Sequence, residues 1–237
     1  MKNYENINPD LRAYVETVII PLYDAFDSAH QRNHVLTVID NSLRLAAMYA
    51  EADISMVYVV AAYHDLGLSE NRATHHLASG RLLRADHELS RWFAPWQIET
   101  MAQAVEDHRA SAKQAPRSLY GCIVAEADRN IDIDVIIRRT LQYGFSHYPQ
   151  LSRDEHISRC VQHLVEKYGP NGYLKLWIPG SENECKLHEL WQLMDDEEAL
   201  TDTINRLFVE LTAATQTGAA ATQTGAAALQ TSATAEA

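Results

Sequence analysis

His34, the pair His64–Asp65, the pair His75–His76, His108 and Asp128 follow one another along the chain, each at the end of an apolar run or on one of its faces. Imidazole nitrogens and carboxylate oxygens are the donors that manganese, iron, cobalt and zinc accept. A carboxylate can bridge two ions, so Asp65 beside His64 can serve one ion and reach a second. A cation held by such a set lowers the pKa of its water from about 15.7 toward ~7 and so supplies a nucleophile at neutral pH. Taken singly, each residue is weak evidence. A lone histidine is usually a surface or satisfied core residue, and an aspartate after an apolar run is usually a cap. The ordered set is the signal, because helix ends in a bundle can converge on one interior point.

The elements that must position these residues read almost entirely at helical period. Leu11–Phe26 places apolar residues three and four apart, with Pro21 a kink or break. His34–Ala52 reads as a long helix. Asp53 is placed to cap the next, which ends at Gly67 in the left-handed position such ends favour. Thr74 is placed to cap a helix over "HHLASGRLLRA". Pro95 opens another in the first turn, where proline is tolerated. "SLYGCIVAEADRNID" and "DVIIRRTLQYG" follow, then "SRDEHISRCVQHLVEKYG" and one long segment from Glu182 to Thr212. Tyr173–Ile178 alternates briefly and is the best strand candidate, but one strand makes no sheet. The fold class expected is all-α: a helical bundle over 1–140, a helical extension over 141–212 packed on it, and a tail over 213–237. That tail repeats "TQTGAAA" with almost no charge and no large apolar residue except Leu229, so it cannot offset chain entropy and is expected to be disordered.

Net charge is −12, which repels phosphate backbones and anionic lipid and argues against nucleic-acid or membrane-surface partners. Three cysteines, Cys122, Cys160 and Cys185, lack any CxxC spacing, which argues against a disulfide framework or thiolate zinc site. No apolar leader opens the chain and no window reaches the ~20 apolar residues of a spanning helix. A soluble cytoplasmic protein is the expectation.

The order His34, His64–Asp65, Asp128 resembles the HD-domain superfamily of metal-dependent phosphohydrolases. "AAYHDLGL" resembles its helix-ending His-Asp signature, and "HHLASGRLL" and "EDHRAS" through "SLYGCIVAEADR" resemble the later segments of its small bacterial members. The likeness runs from about Asp24 to Ile137. It implies that His34, His64, Asp65 and Asp128 hold a first divalent transition metal (Mn, Fe, Co or Zn). His76 and His108 match histidines that hold a second ion in dinuclear branches, with Asp65 bridging. Adjacent helical residues point about 100° apart, so one of His75 and His76 faces the site. Leu77, Ser79 and Gly80 match the family pattern best with His76 in that role. Two departures stand out. Asp107 occupies a position where dinuclear branches often carry another histidine, leaving one ion or two open. No Gly-Tyr-Pro signature occurs, which argues against a cyclic-dinucleotide phosphodiesterase.

The resemblance implies a phosphohydrolase, a phosphomonoesterase or phosphodiesterase, acting on a small phosphorylated compound such as a nucleotide, with Asp65 catalytic. Guanidinium forks match phosphate oxygens, and Arg72 and Arg109 are the candidates to touch substrate. Lys113, Arg117 and Arg129 are near in sequence, and Glu70 is either a water-positioning base or a surface glutamate. Two alternatives are a di-iron oxygenase on the same fold and a non-catalytic nucleotide-binding domain. Trp92, Phe93 and Trp96 read as packing residues, and His147, His156, His163 and His188 as scattered.

Overall fold

The computed structural model describes residues 3–27, 30–109 and 114–213, and among them there are helices and no strand. The expected tail lies, from residue 214, outside the described residues, as does Lys113. The chain separates into two compact units. One comprises Met1–Asn130 with Leu174–Cys185, the other Ile131–Tyr173 with the residues from Lys186 onward.

The first unit is built around the least polar helix of the chain. Eight consecutive residues from Met56 to Tyr63 are buried, as expected of a helix apolar on every side. This helix, α3 (Ile54–Tyr63), starts where Asp53 accepts from the backbone N–H groups of Ser55 and Met56 at 2.9 and 3.3 Å. Around it pack α2 (Arg32–Ala46), α4 (His75–Ala85), α5 (Pro95–Asp107), α6 (Leu119–Ala127) and the turn that follows α1 (Pro9–Tyr14). Each turns inward an apolar stripe, such as Val35, Val38, Ile39 and Leu43 of α2 and Met101, Ala102 and Val105 of α5. Past α1 the chain runs through a π-helical turn, Val15–Ile19, into a 3₁₀ turn, Ile20–Ala25. Pro21, which has no N–H for the helical ladder, stands at that change.

The second unit contains α7 (Ile133–His147), α8 (Arg153–Tyr168), most of α9 (Glu182–Asp195) and a last helix, α10, over 197–213. Its core includes Ile137, Leu141, Leu164, Leu190, Ile204 and Leu207. The long segment from Glu182 is broken, because Asp196 stops one helix and caps the next, accepting from the Ala199 N–H at 3.0 Å.

Two further expectations are corrected. Tyr173–Ile178 forms no strand, since the Trp177 N–H goes to the Glu126 carboxylate at 2.8 Å and to no neighbouring strand. Gly67 is not left-handed; among the described residues only Gly180 has positive φ. Gly67 is required by proximity: a Cβ there would lie 2.1 Å from the His75 carbonyl oxygen and 2.6 Å from the Ser79 nitrogen. Among the described residues no helix is long and apolar enough to cross a membrane.

Candidate metal centre

The C-terminal ends of α3, α5 and α6 and the starts of α2 and α4 deliver the donors. α3 ends at His64, whose ring is fully buried, and the next residue, Asp65, opens a 3₁₀ turn, Leu66–Ser69. His34 sits in the first turn of α2, and Asp128 caps the C-terminus of α6. His75 opens α4, and His108 caps α5.

The Asp65 carboxylate divides these residues into two sets. Its Oδ2 lies 3.5 Å from His34 Nε2 and 3.3 Å from His64 Nε2. Asp128 Oδ1 joins that set, 3.2 and 3.8 Å from the same two nitrogens. Asp65 Oδ1 faces the other way, 3.3 Å from His75 Nε2 and 3.4 Å from His108 Nε2. Both His34–His64–Asp65 and Asp65–His75–His108 are groups able to hold a metal ion. Bonds of ~2.1 Å at tetrahedral angles place ligand atoms ~3.4 Å apart, which is the spacing found.

Backbone carbonyls fix which nitrogens can donate. His64 Nδ1 donates to the Ala61 carbonyl at 2.8 Å, His75 Nδ1 to Arg72 at 2.8 Å and His108 Nδ1 to Val105 at 2.6 Å. This assigns the proton of each neutral ring to Nδ1 and turns the Nε2 lone pair inward. Acceptors turned toward one another at such distances repel unless positive charge lies among them, so the donor set fits divalent cations. Without an ion, protons take that role. Burial alone would lower the His34 pKa, but hydrogen bonds to Asp128 and Asp65 outweigh it and push the value up to about 9. His64 and His75 are likewise lowered by burial yet raised on balance by Asp65. Burial would raise the Asp65 and Asp128 carboxyls; the surrounding imidazoles hold both below the usual range.

His75, rather than His76, therefore faces Asp65. His76 packs edge-on against the His75 ring at 5.6 Å, and its Nδ1 is buried without a hydrogen-bond partner. The backbone explains the correction: the Arg72 carbonyl takes His75 Nδ1 at 2.8 Å and so turns Nε2 toward Asp65 Oδ1. Asp107 points away and pairs with Arg117. Glu70 forms a surface pair with Arg81 at 2.5 Å, and Arg129 is buried with a guanidinium nitrogen donating to the Ala125 carbonyl.

Sequence reasoning missed the supports. The buried Tyr23 hydroxyl donates to the Ala62 carbonyl at 2.9 Å and accepts the Asp65 N–H at 3.3 Å, bracketing the His64–Asp65 turn. Ser79 Oγ accepts the Gly67 N–H at 2.8 Å, tying that turn to α4. Neither has a local signal, because the partners are distant in sequence.

A cleft of about 460 Å³ opens onto Asp65 and His75, bordered by His30, Leu68, Arg72, Ala73 and Arg109. Arg109 Nη1 donates to the Ala73 carbonyl at 2.9 Å. Asp27 accepts from Arg72 at 3.2 Å and contacts His30 Nδ1 at 2.8 Å. His30, another residue the sequence did not flag, packs its ring edge-on against His34.

Residues 32–130 match the family model of the HD domain. Comparison with curated proteins and with solved structures gave no match.

Proposed function

We propose, from a chain whose residues 32–130 match the HD-domain family model, that this protein is a metal-dependent phosphohydrolase acting on a small phosphorylated compound such as a nucleotide, in which His34, His64, Asp65 and Asp128 would hold one divalent ion and Asp65, His75 and His108 could hold a second. The observation that carries the reading is the division of the Asp65 carboxylate, Oδ2 toward His34 and His64 and Oδ1 toward His75 and His108. Divalent ions held there would supply a hydroxide nucleophile at neutral pH and polarise a phosphoryl oxygen.

The chain's own residues would bind and orient the substrate. Arg72 and Arg109 border the cleft and offer guanidinium nitrogens to phosphate oxygens. The Ala73 carbonyl holds Arg109 in place, and Asp27 holds both Arg72 and His30. Leu68 and Ala73 form an apolar wall for the organic part of the substrate, and the volume suits one small molecule. The same imidazoles and carboxylates would also serve a di-iron oxygenase; the two arginines at the cleft favour an anionic substrate.

The test is a screen of phosphorylated metabolites with manganese, iron, cobalt and zinc in turn. Turnover should require added metal, and Asp65→Asn should reduce it at least 100-fold, beyond the usual effect of losing a supporting group. Turnover that survives both chelation and Asp65→Asn would remove the mechanism. Arg109→Ala should act mainly by raising KM.

A further inference from the structure

We propose that Glu126 is a positioning residue for the metal centre, holding Asp128 through a strap that returns from much later in the chain. The inference rests on the metal-binding reading above. Glu126 lies on α6 two residues before Asp128, and its side chain is fully buried. Both carboxylate oxygens are engaged by residues of the 174–185 segment. Oε2 accepts the Trp177 N–H at 2.8 Å and Oε1 accepts the Ser181 hydroxyl at 2.7 Å. Asn183 completes the strap: its Nδ2 donates to the Glu126 carbonyl at 2.9 Å and to the Arg129 carbonyl at 3.2 Å.

The last carbonyls of a helix have no intrahelical partner, and at the end of α6 they are taken one after another. Arg129 takes that of Ala125, Asn183 that of Glu126, and Asn41 of α2 that of Ala127 at 3.2 Å. Asp128 thus stands between two residues gripped by one asparagine, on a helix end tied to the helix that carries His34. A ligand needs to be held to within about 0.5 Å of its working position, and this is the device that holds Asp128.

A carboxylate suits the site because the Trp177 N–H can only donate, and the Ser181 hydroxyl, which already accepts the Glu184 N–H at 3.1 Å, spends its own proton on Oε1. Glutamine has the same shape, but its NH₂ would either oppose the Trp177 N–H or reverse the Ser181 bond and leave that hydroxyl proton without its acceptor. Glu126→Gln is therefore expected to loosen Asp128 while sparing the His75–His108 side.

Cobalt affinity and the visible d–d absorption of the cobalt protein test this in the full chain. With His108→Ala as background, the His34–His64–Asp65–Asp128 position remains; with His34→Ala and His64→Ala together, only the Asp65–His75–His108 position does. Glu126→Gln should weaken cobalt binding about 10- to 100-fold and shift the absorption band in the first background, with less than a twofold change in the second. Asn183→Ala, which removes the two carbonyl contacts and leaves the carboxylate in place, should act in the same direction and serves if Glu126→Gln does not fold. Equal weakening in both backgrounds, or no weakening in a folded variant, overturns the positioning role. Wild-type protein that binds no cobalt overturns the metal reading itself.

Discussion

His75 Nε2 lies 3.2 Å from His108 Nε2, and the other nitrogen of each ring is committed to a backbone carbonyl. Two imidazole lone pairs thus face each other across Asp65 Oδ1. His75→Ala is expected to lower bound metal by about one ion per chain, and His76→Ala to leave it unchanged; elemental analysis of the purified variants decides. Loss of metal from the His76 variant alone would reverse the assignment.

Tyr23 brackets the ligand turn with one hydroxyl. Tyr23→Phe keeps the ring and leaves the buried Asp65 N–H without its acceptor, which should cost about 1–3 kcal/mol. Metal affinity should fall roughly 10-fold, because the backbone that carries Asp65 loses its stop. Denaturant titration and metal competition measure the two effects. Unchanged values for both would show that the hydroxyl holds nothing.

Gly67 lies where the turn meets α4, and the two nearest atoms a methyl group would strike are backbone. Gly67→Ala should destabilise the fold by at least ~2 kcal/mol and push His75 away from Asp65, so stability and bound metal should drop together. A denaturation midpoint equal to wild type would show that the two segments part easily.

The metal-free protein should lose stability as pH rises from about 6.5 to about 9. The folded His34 value of about 9 stands above the ~6.5 of an unfolded histidine. The stabilisation from protonating it is therefore complete below pH ~6.5 and is lost as pH passes through the folded value. Chelator-treated protein should show a falling denaturation midpoint across that window, and His34→Asn should flatten the fall. A flat wild-type profile would contradict the proton-filled cluster.

The sequence made the all-helical fold and most helix starts legible, because apolar spacing, Asp53 and Pro95 are local signals. The gathering of His34, His64, Asp65, His108 and Asp128 was legible because each stands at a helix terminus. What could not be read depends on contacts between distant segments. The choice of His75 over His76 turns on the Arg72 carbonyl that orients the His75 ring; spacing is silent, because buried small residues lie three and four positions on from both histidines. The reason for Gly67 lies eight residues away, at the His75 carbonyl. Tyr173–Ile178 has the alternation of a strand but sends a backbone donor to a side chain instead.

The family-model match ends at residue 130, while the donors that face Glu126 begin at Trp177. A protein trimmed to the matched stretch would keep every proposed ligand and yet lose both donors of the Glu126 carboxylate together with the segment that covers it. Residues 32–130 therefore mark where ancestry is recognisable, not where the chain can be cut; the severed piece should be less soluble and slower to take up metal than the intact protein.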